Sequence, residues 1–438
     1  MASVAALSSA NTADARQAAP SGIALRLAVW CLLLSTTVLQ RFGINFGSYS
    51  LNVALLGMYG CIAVAAASRA LALSERRLVL YVTCVTVALA SLLLNANLAQ
   101  PDRSSLGSFL LLAVMYLPFI FVIRSDAAPD ARWVLRRFLD LALFCALAGI
   151  LQFSAQFIVK ADWLFDFSAY VPAFLRGPSG FNTVIPVGAL FKSNGFFFRE
   201  PSGFSFLMAL ALICEATLYR RVTRLSCFAL ALLLTYSGTG LLALLIAALF
   251  PLGRKTLLRL ALLGCVGAAT LLLLGDVLNL SYTLGRIQEF GAERSSAYIR
   301  FIAPLKVIRD TLGTDAWTPW LGQGPGSVFR QTVPYEFHDP TWAKLLVEYG
   351  VVGWILFVAL FLVLLGRSRL PIQIRATLFF CWLIMGGHLL SPEVNFLTLA
   401  LVGLLPDAPG DPLSSRSAEP APYTLALGPR ALLTGPNA

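Results

Sequence analysis

An all-α polytopic membrane protein with about twelve transmembrane helices and a large outer loop is the fold class this sequence predicts, on three observations. The 438 residues are 58% hydrophobic and 13% charged, with a mean hydropathy of +0.77, whereas ordinary soluble domains carry roughly 25% charged residues. Apolar runs near the ~20 residues that a bilayer requires recur along the chain. The formal charge of +11 sits mainly in short arginine-bearing connections beside those runs, which is the positive-inside pattern and not a nucleic-acid-binding face. The eight cysteines lie in apolar runs without a C-x-x-C pair, so neither a disulfide framework nor a zinc site is indicated.

Residues 1–22 are rich in Ala and Ser and are expected to be disordered, and the first apolar run reads as an uncleaved helix. Runs follow at about 23–40, 51–68, 78–98, 106–123 and 138–158. The connections Arg69–Arg77 and Arg124–Arg137 hold most of the early arginines, which places them and the amino terminus in the cytoplasm and the segment 159–202 outside. A helix opened by Pro201 then returns inward to Arg220-Arg221. The run 225–250 breaks the charge parity if it crosses once, so a turn is expected at Tyr236-Ser237-Gly238-Thr239-Gly240, putting Ser237 and Thr239 outside near Arg199. One long tilted helix with a small-residue face is the alternative. Further spans are expected at 256–275 and 345–365, in a run ending near His388, and from Val394 to Leu405. A single membrane domain thus covers 23–405, with large outer loops 159–202 and 276–344 and a disordered cytoplasmic tail over 406–438.

Chemistry concentrates in the outer segments. In Asn194-Gly195-Phe196-Phe197-Phe198-Arg199-Glu200-Pro201-Ser202, proline suits the first helical position, so Glu200 falls at the cap and Arg199 just outside it. A helix start with an arginine fork beside it suits a phosphate group, Glu200 bracing Arg199 or acting itself, and the phenylalanines suggest the depth of the membrane boundary. The loop 276–344 carries equal numbers of basic and acidic residues, so an anion site there must come from particular arginines. Its piece Glu293–Asp310 has Ala297, Phe301, Pro304/Leu305 and Ile308 at helical spacing with Arg294, Arg300 and Arg309 elsewhere, as in an amphipathic helix lying along the membrane. Leu321-Gly322-Gln323-Gly324-Pro325-Gly326-Ser327 lacks Walker spacing and reads as a turn. His338 precedes Asp339-Pro340 and a helix, where an imidazole can exchange a proton near neutral pH. His388 reads as a packing or hydrogen-bonding residue.

These pieces in this order, with Thr235–Leu242, Ser296 and Glu348-Tyr349-Gly350-Val351-Val352-Gly353, make residues 190–365 similar to the membrane O-antigen polymerase and ligase superfamily of Wzy-type polymerases and WaaL-type ligases. The resemblance implies a GT-C-like glycosyltransferase of the bacterial inner membrane, acting at the periplasmic face. It further implies an undecaprenyl-pyrophosphate-linked glycan donor, inversion, no metal and no cofactor, with a flippase and a chain-length regulator as partners. Carried over by motif, Arg199, Glu200, Arg300 and His338 are the catalytic candidates. Arg294, Arg309, Ser237 and Thr239 are the candidate substrate-binding residues.

Within the superfamily, ligases carry an amide or Ser after this histidine and reach a Gly-x-x-Gly pair one residue sooner than here. One added residue turns a helix by about 100°. Asp339 is expected to orient His338 and raise its basicity. A polymerase of lipid-linked repeat units forming a surface or exopolysaccharide is therefore the favoured reading, with an O-antigen ligase as the alternative and a lipid or polysaccharide transporter behind it.

Overall fold

The computed structural model describes residues 22–404 apart from 47–48, 98–103, 125–126, 160–161, 178–180, 252, 254–294, 296, 314, 332 and 369. The expected span 256–275, Arg294 and the tail 406–438 lie outside the described residues. In chain order the first helices are α1 (Gly22–Thr37), α2 (Val53–Ala67), α3 (Glu75–Asn97), α4 (Leu106–Tyr116) and α5 (Ala131–Ala155). Then come α6 (Pro201–Cys214, continued by a π-helical turn Glu215–Tyr219), α7 (Val222–Leu233) and α8 (Gly238–Ala248). Beyond residue 294 lie α9 (Ala303–Leu312), α10 (Thr318–Leu321), α11 (Thr341–Gly366), α12 (Ile372–Phe380) and α13 (Pro392–Thr398). Helices α3, α5, α6 with its π-turn, and α11 are long and apolar enough to cross a membrane by length and composition. Helices α1, α2, α7 and α8 are apolar but shorter. Strands among the described residues form short antiparallel pairs, such as Leu71–Leu73 with Phe121–Ile123. The protein is an all-α membrane protein.

Helix α6 is the centre. It is apolar all round, and from Phe204 to Cys214 every residue is buried, because α5, α7, α8 and α12 surround it. Its C-terminal end closes on a buried carboxylate. Glu215 takes Arg221 Nε at 2.8 Å, Nη2 at 2.7 Å and the Arg221 amide at 3.0 Å, while Arg220 turns through the left-handed region at φ 63°. That fork accounts for Glu215 without a transport role.

The expected turn at 236–240 is present. Helix α7 ends at Leu233, Tyr236 adopts a positive φ of 49°, and α8 begins at Gly238 with Ser237 as its cap. Gly240 lets α8 lie against α6: a side chain there would stand 2.7 Å from the Ser205 carbonyl, and Ser205 Oγ accepts the Gly240 amide at 2.9 Å.

Helix α11 is not one helix. Gly350 takes φ 63° and ψ −168°, a backbone region that essentially only glycine adopts, and this interrupts the hydrogen-bond ladder. The glycine-rich turn repairs the damage: Gln323 N donates to Val347 O at 2.8 Å, Gly324 N to Glu348 O at 3.1 Å, and Ser91 Oγ from α3 to Glu348 O at 3.0 Å. Gly322 packs on the backbone of Glu348–Tyr349 and Gly350 on that of Trp320–Leu321, each leaving no room for a Cβ. The turn is therefore a structural clamp. The break also means that the one-residue offset before Gly353 is not transmitted as a rotation along a continuous helix, contrary to the expectation from spacing.

Candidate functional site

The Pro201 end of α6 is anchored by α5. Gln152 of α5 accepts from Ser193 Oγ at 2.9 Å and from the amides of Asn194 and Gly195 at 3.1 Å each, and donates to Asn194 Oδ1 at 2.8 Å. Gly195 turns at φ 62° directly over Phe204, where a side chain would meet the ring at 2.7 Å. The three phenylalanines beyond it act as rivets: Phe196 packs on Phe167, Phe197 on Phe144, and buried Phe198 on Phe204. No motif in the sequence points to Gln152. Its signal is an amide, with Gln156 one turn on, inside an otherwise apolar run.

This anchoring delivers Arg199 and Glu200 to the helix start. Glu200 is the cap residue by backbone angle and Pro201 is at the first position, as expected, but the Glu200 carboxylate makes no capping bond. It accepts from Ser202 Oγ at 3.0 Å and pairs with Arg300 Nη2 at 3.5 Å. Glu200 therefore braces Arg300, not Arg199. Arg199 is exposed, and its charge is felt by Glu393 in the first turn of α13.

Arg300 reaches the site through a π-helical turn, Tyr298–Ile302, ahead of α9. A π-turn closes i to i+5, so it inserts one residue and rotates the helix beyond it. The buried face runs through Tyr298, Ala303, Pro304, Val307 and Thr311, and Leu305 is 53% exposed. Of the expected apolar stripe 297/301/304–305/308, Pro304 is buried and Ile308 packs on the cluster of Val307, Val328 and Val347, whereas Leu305 turns outward. Arg300 Nη1 meets Thr239 Oγ1 at 3.4 Å, so the α7–α8 turn, the start of α6 and the π-turn converge on one guanidinium. These bonds are long, at the edge of hydrogen-bonding range.

His338 stands beside this group because its amide donates to Ile299 O at 3.1 Å. Burial and the neighbouring Arg300 push its pKa below the ordinary value, with a smaller push from Arg199, and Glu200 and Asp339 only partly oppose them. Asp339 acts in the expected direction, raising the basicity, but burial and Arg300 outweigh it. Asp339 is engaged elsewhere, accepting from buried Lys344 Nζ at 2.8 Å. The consequence is an imidazole that is neutral at physiological pH and can accept a proton.

The remaining candidates are not all assembled. Ser237 is occupied as the α8 cap, its Oγ accepting the Thr239 amide at 3.4 Å. Arg309 is 79% exposed and pairs with its neighbour Asp310 at 3.3 Å. Among the described residues no group of three or more His, Cys, Asp and Glu is arranged to hold a metal ion. The arrangement offers two guanidiniums, a neutral imidazole and a hydroxyl, suited to an anionic leaving group and a departing proton.

No curated protein matches the chain. The family model described as WcaD colanic acid polymerase matches residues 28–405, which takes in nearly all the helices and every residue of the site. That match brings with it a polysaccharide polymerase role of glycosyltransferase type, in a membrane protein. With residues 28–405 covered, the chain belongs to the WcaD colanic acid polymerase family.

Proposed function

We propose that the protein polymerises oligosaccharide repeat units carried on undecaprenyl pyrophosphate, at the periplasmic face of the bacterial inner membrane. The observation that carries this reading is the convergence of Arg300, Glu200, Thr239 and His338 at the outer end of α6, with Arg199 beside them. An acceptor sugar hydroxyl attacks the anomeric carbon of the donor glycan. The bond from that carbon to the pyrophosphate oxygen breaks, the lipid pyrophosphate leaves with both electrons, and the hydroxyl proton passes to the His338 imidazole. Negative charge grows on the leaving group, so positioned guanidiniums stabilise the transition state more than the ground state. Glu200 keeps the Arg300 fork aimed, and Thr239 fixes its second edge. Attack opposite the leaving group gives inversion, and the chemistry requires no metal.

Deletion in the native host is the test. Cells lacking the protein are expected to export and attach single repeat units while losing long chains. Full-length chains accumulating on the lipid carrier would identify a ligase and contradict the reading.

A further inference from the structure

Between α12, with its π-turn Cys381–Met385, and α13 the chain leaves the α-helix over Gly386–Ser391 and restarts at Pro392. Irregular backbone within an apolar bundle is tolerated where protein satisfies it or where it lines a cavity. Here it is satisfied. Asn395 Nδ2 donates to His388 O at 2.7 Å and to Ser391 O at 2.9 Å, Ser391 Oγ to Gly387 O at 3.0 Å, and Tyr116 OH to Leu389 O at 3.1 Å. The break is also built against the His338 segment. Thr341 N donates to Gly386 O at 3.2 Å, and a side chain at Gly387 would stand 2.7 Å from Asp339 Oδ1.

Two ionisable residues are brought to the site by this break. His388 lies within electrostatic reach of Arg300, Asp339 and Glu200, and Glu393 within reach of Arg199. Along the same seam, His388 Nδ1 and Thr341 Oγ1 are shut off from solvent with no hydrogen-bond partner among the described residues. Orphaned polar atoms are costly, and packing would be served as well by apolar side chains. A carboxylate repels a pyrophosphate but accepts from sugar hydroxyls, and an imidazole can do the same. The chemistry at the break therefore matches the sugar that receives the chain rather than the phosphate that releases it.

We propose that the broken helix forms the acceptor half of the site, with His388 and Glu393 as positioning residues that bind hydroxyls of the incoming acceptor sugar and aim one of them at His338. This rests on the polymerase reading above. Neither residue gains or loses a covalent bond, and the proton still goes to His338.

The experiment uses purified full-length protein and the lipid-linked repeat unit extracted from cells lacking it. Two products are followed, the polymer ladder and the slow release of glycan from its lipid to water, which needs the donor site alone. For both His388→Gln and Glu393→Gln the ratio of chain extension to release is expected to fall about tenfold or more, and higher repeat-unit concentration should recover part of it. An unchanged ratio in both variants, whether extension and release fall together or stay at wild-type rates, would overturn the proposal. Two positions are used so that a folding defect at one, seen as lost thermal stability, leaves the other to decide. Failure of the polymerase reading looks different, because the wild-type protein would then form no ladder.

Discussion

At the scale of single residues, Arg300 and His338 are coupled by charge, and the coupling has a measurable sign. The imidazole pKa lies below its usual 6.5 because of burial and Arg300, so the base form persists until the pH falls through that lowered value. The acid limb of the polymerisation rate is therefore expected below pH 6.5. Removing a positive neighbour makes protonation easier, so in Arg300→Ala the residual activity should show its acid limb at higher pH. The same substitution removes charge-assisted bonds of roughly 1.5–3 kcal/mol each, and the rate should drop ~10- to 100-fold at normal protein level. Arg199→Lys keeps the charge but loses the planar fork, and polymer yield close to Arg199→Ala is the expected outcome. Wild-type yield from Arg199→Ala would remove that residue from the site. Arg199, Glu200, Arg300 and His338 were legible in the sequence because each is an ionisable group at a helix start or loop junction. Their pairing was not: that Glu200 serves Arg300 depends on a contact across 100 residues of chain, which no local pattern encodes.

At the scale of elements, boundaries marked by Pro, Gly and Ser were readable, and irregularities inside helices were not. Pro201 at the start of α6 and the turn before α8 follow from local chemistry. The π-turn at Tyr298–Ile302 and the break at Gly350 come from tertiary packing, one turning Arg300 toward the site and the other making room for the glycine clamp. The clamp gives a stability prediction. Gly350→Ala or Gly322→Ala must place a Cβ where backbone already stands, at a positive φ, so either should lower folded yield and thermal stability by the equivalent of ~2 kcal/mol or more. Wild-type melting for both would sink the clamp. The α7–α8 turn bears on topology in the same way. Single cysteines at Gly238 and Gly253, in a cysteine-free background, are expected to label from opposite sides of the membrane, and labelling from one side would remove the hairpin.

At the scale of the whole molecule, composition and the spacing of apolar runs identify an all-α membrane protein, because hydrophobic length is a property of sequence alone. How short helices such as α7, α8 and α12 sit in a bilayer is set by their packing around α6, and runs of residues do not report that. Within residues 276–344 the equal numbers of basic and acidic residues hide which arginine stands at the candidate site, and the fold brings Arg300 to Thr239. The measurement that bears most directly on the central claim is reconstitution of the purified protein in liposomes with its lipid-linked repeat unit, with and without chelator, read as a polymer ladder. The expected result is a ladder from wild-type protein that survives chelator and collapses in Arg300→Ala and His338→Ala at equal protein level. A ladder of wild-type length from both variants would contradict the claim.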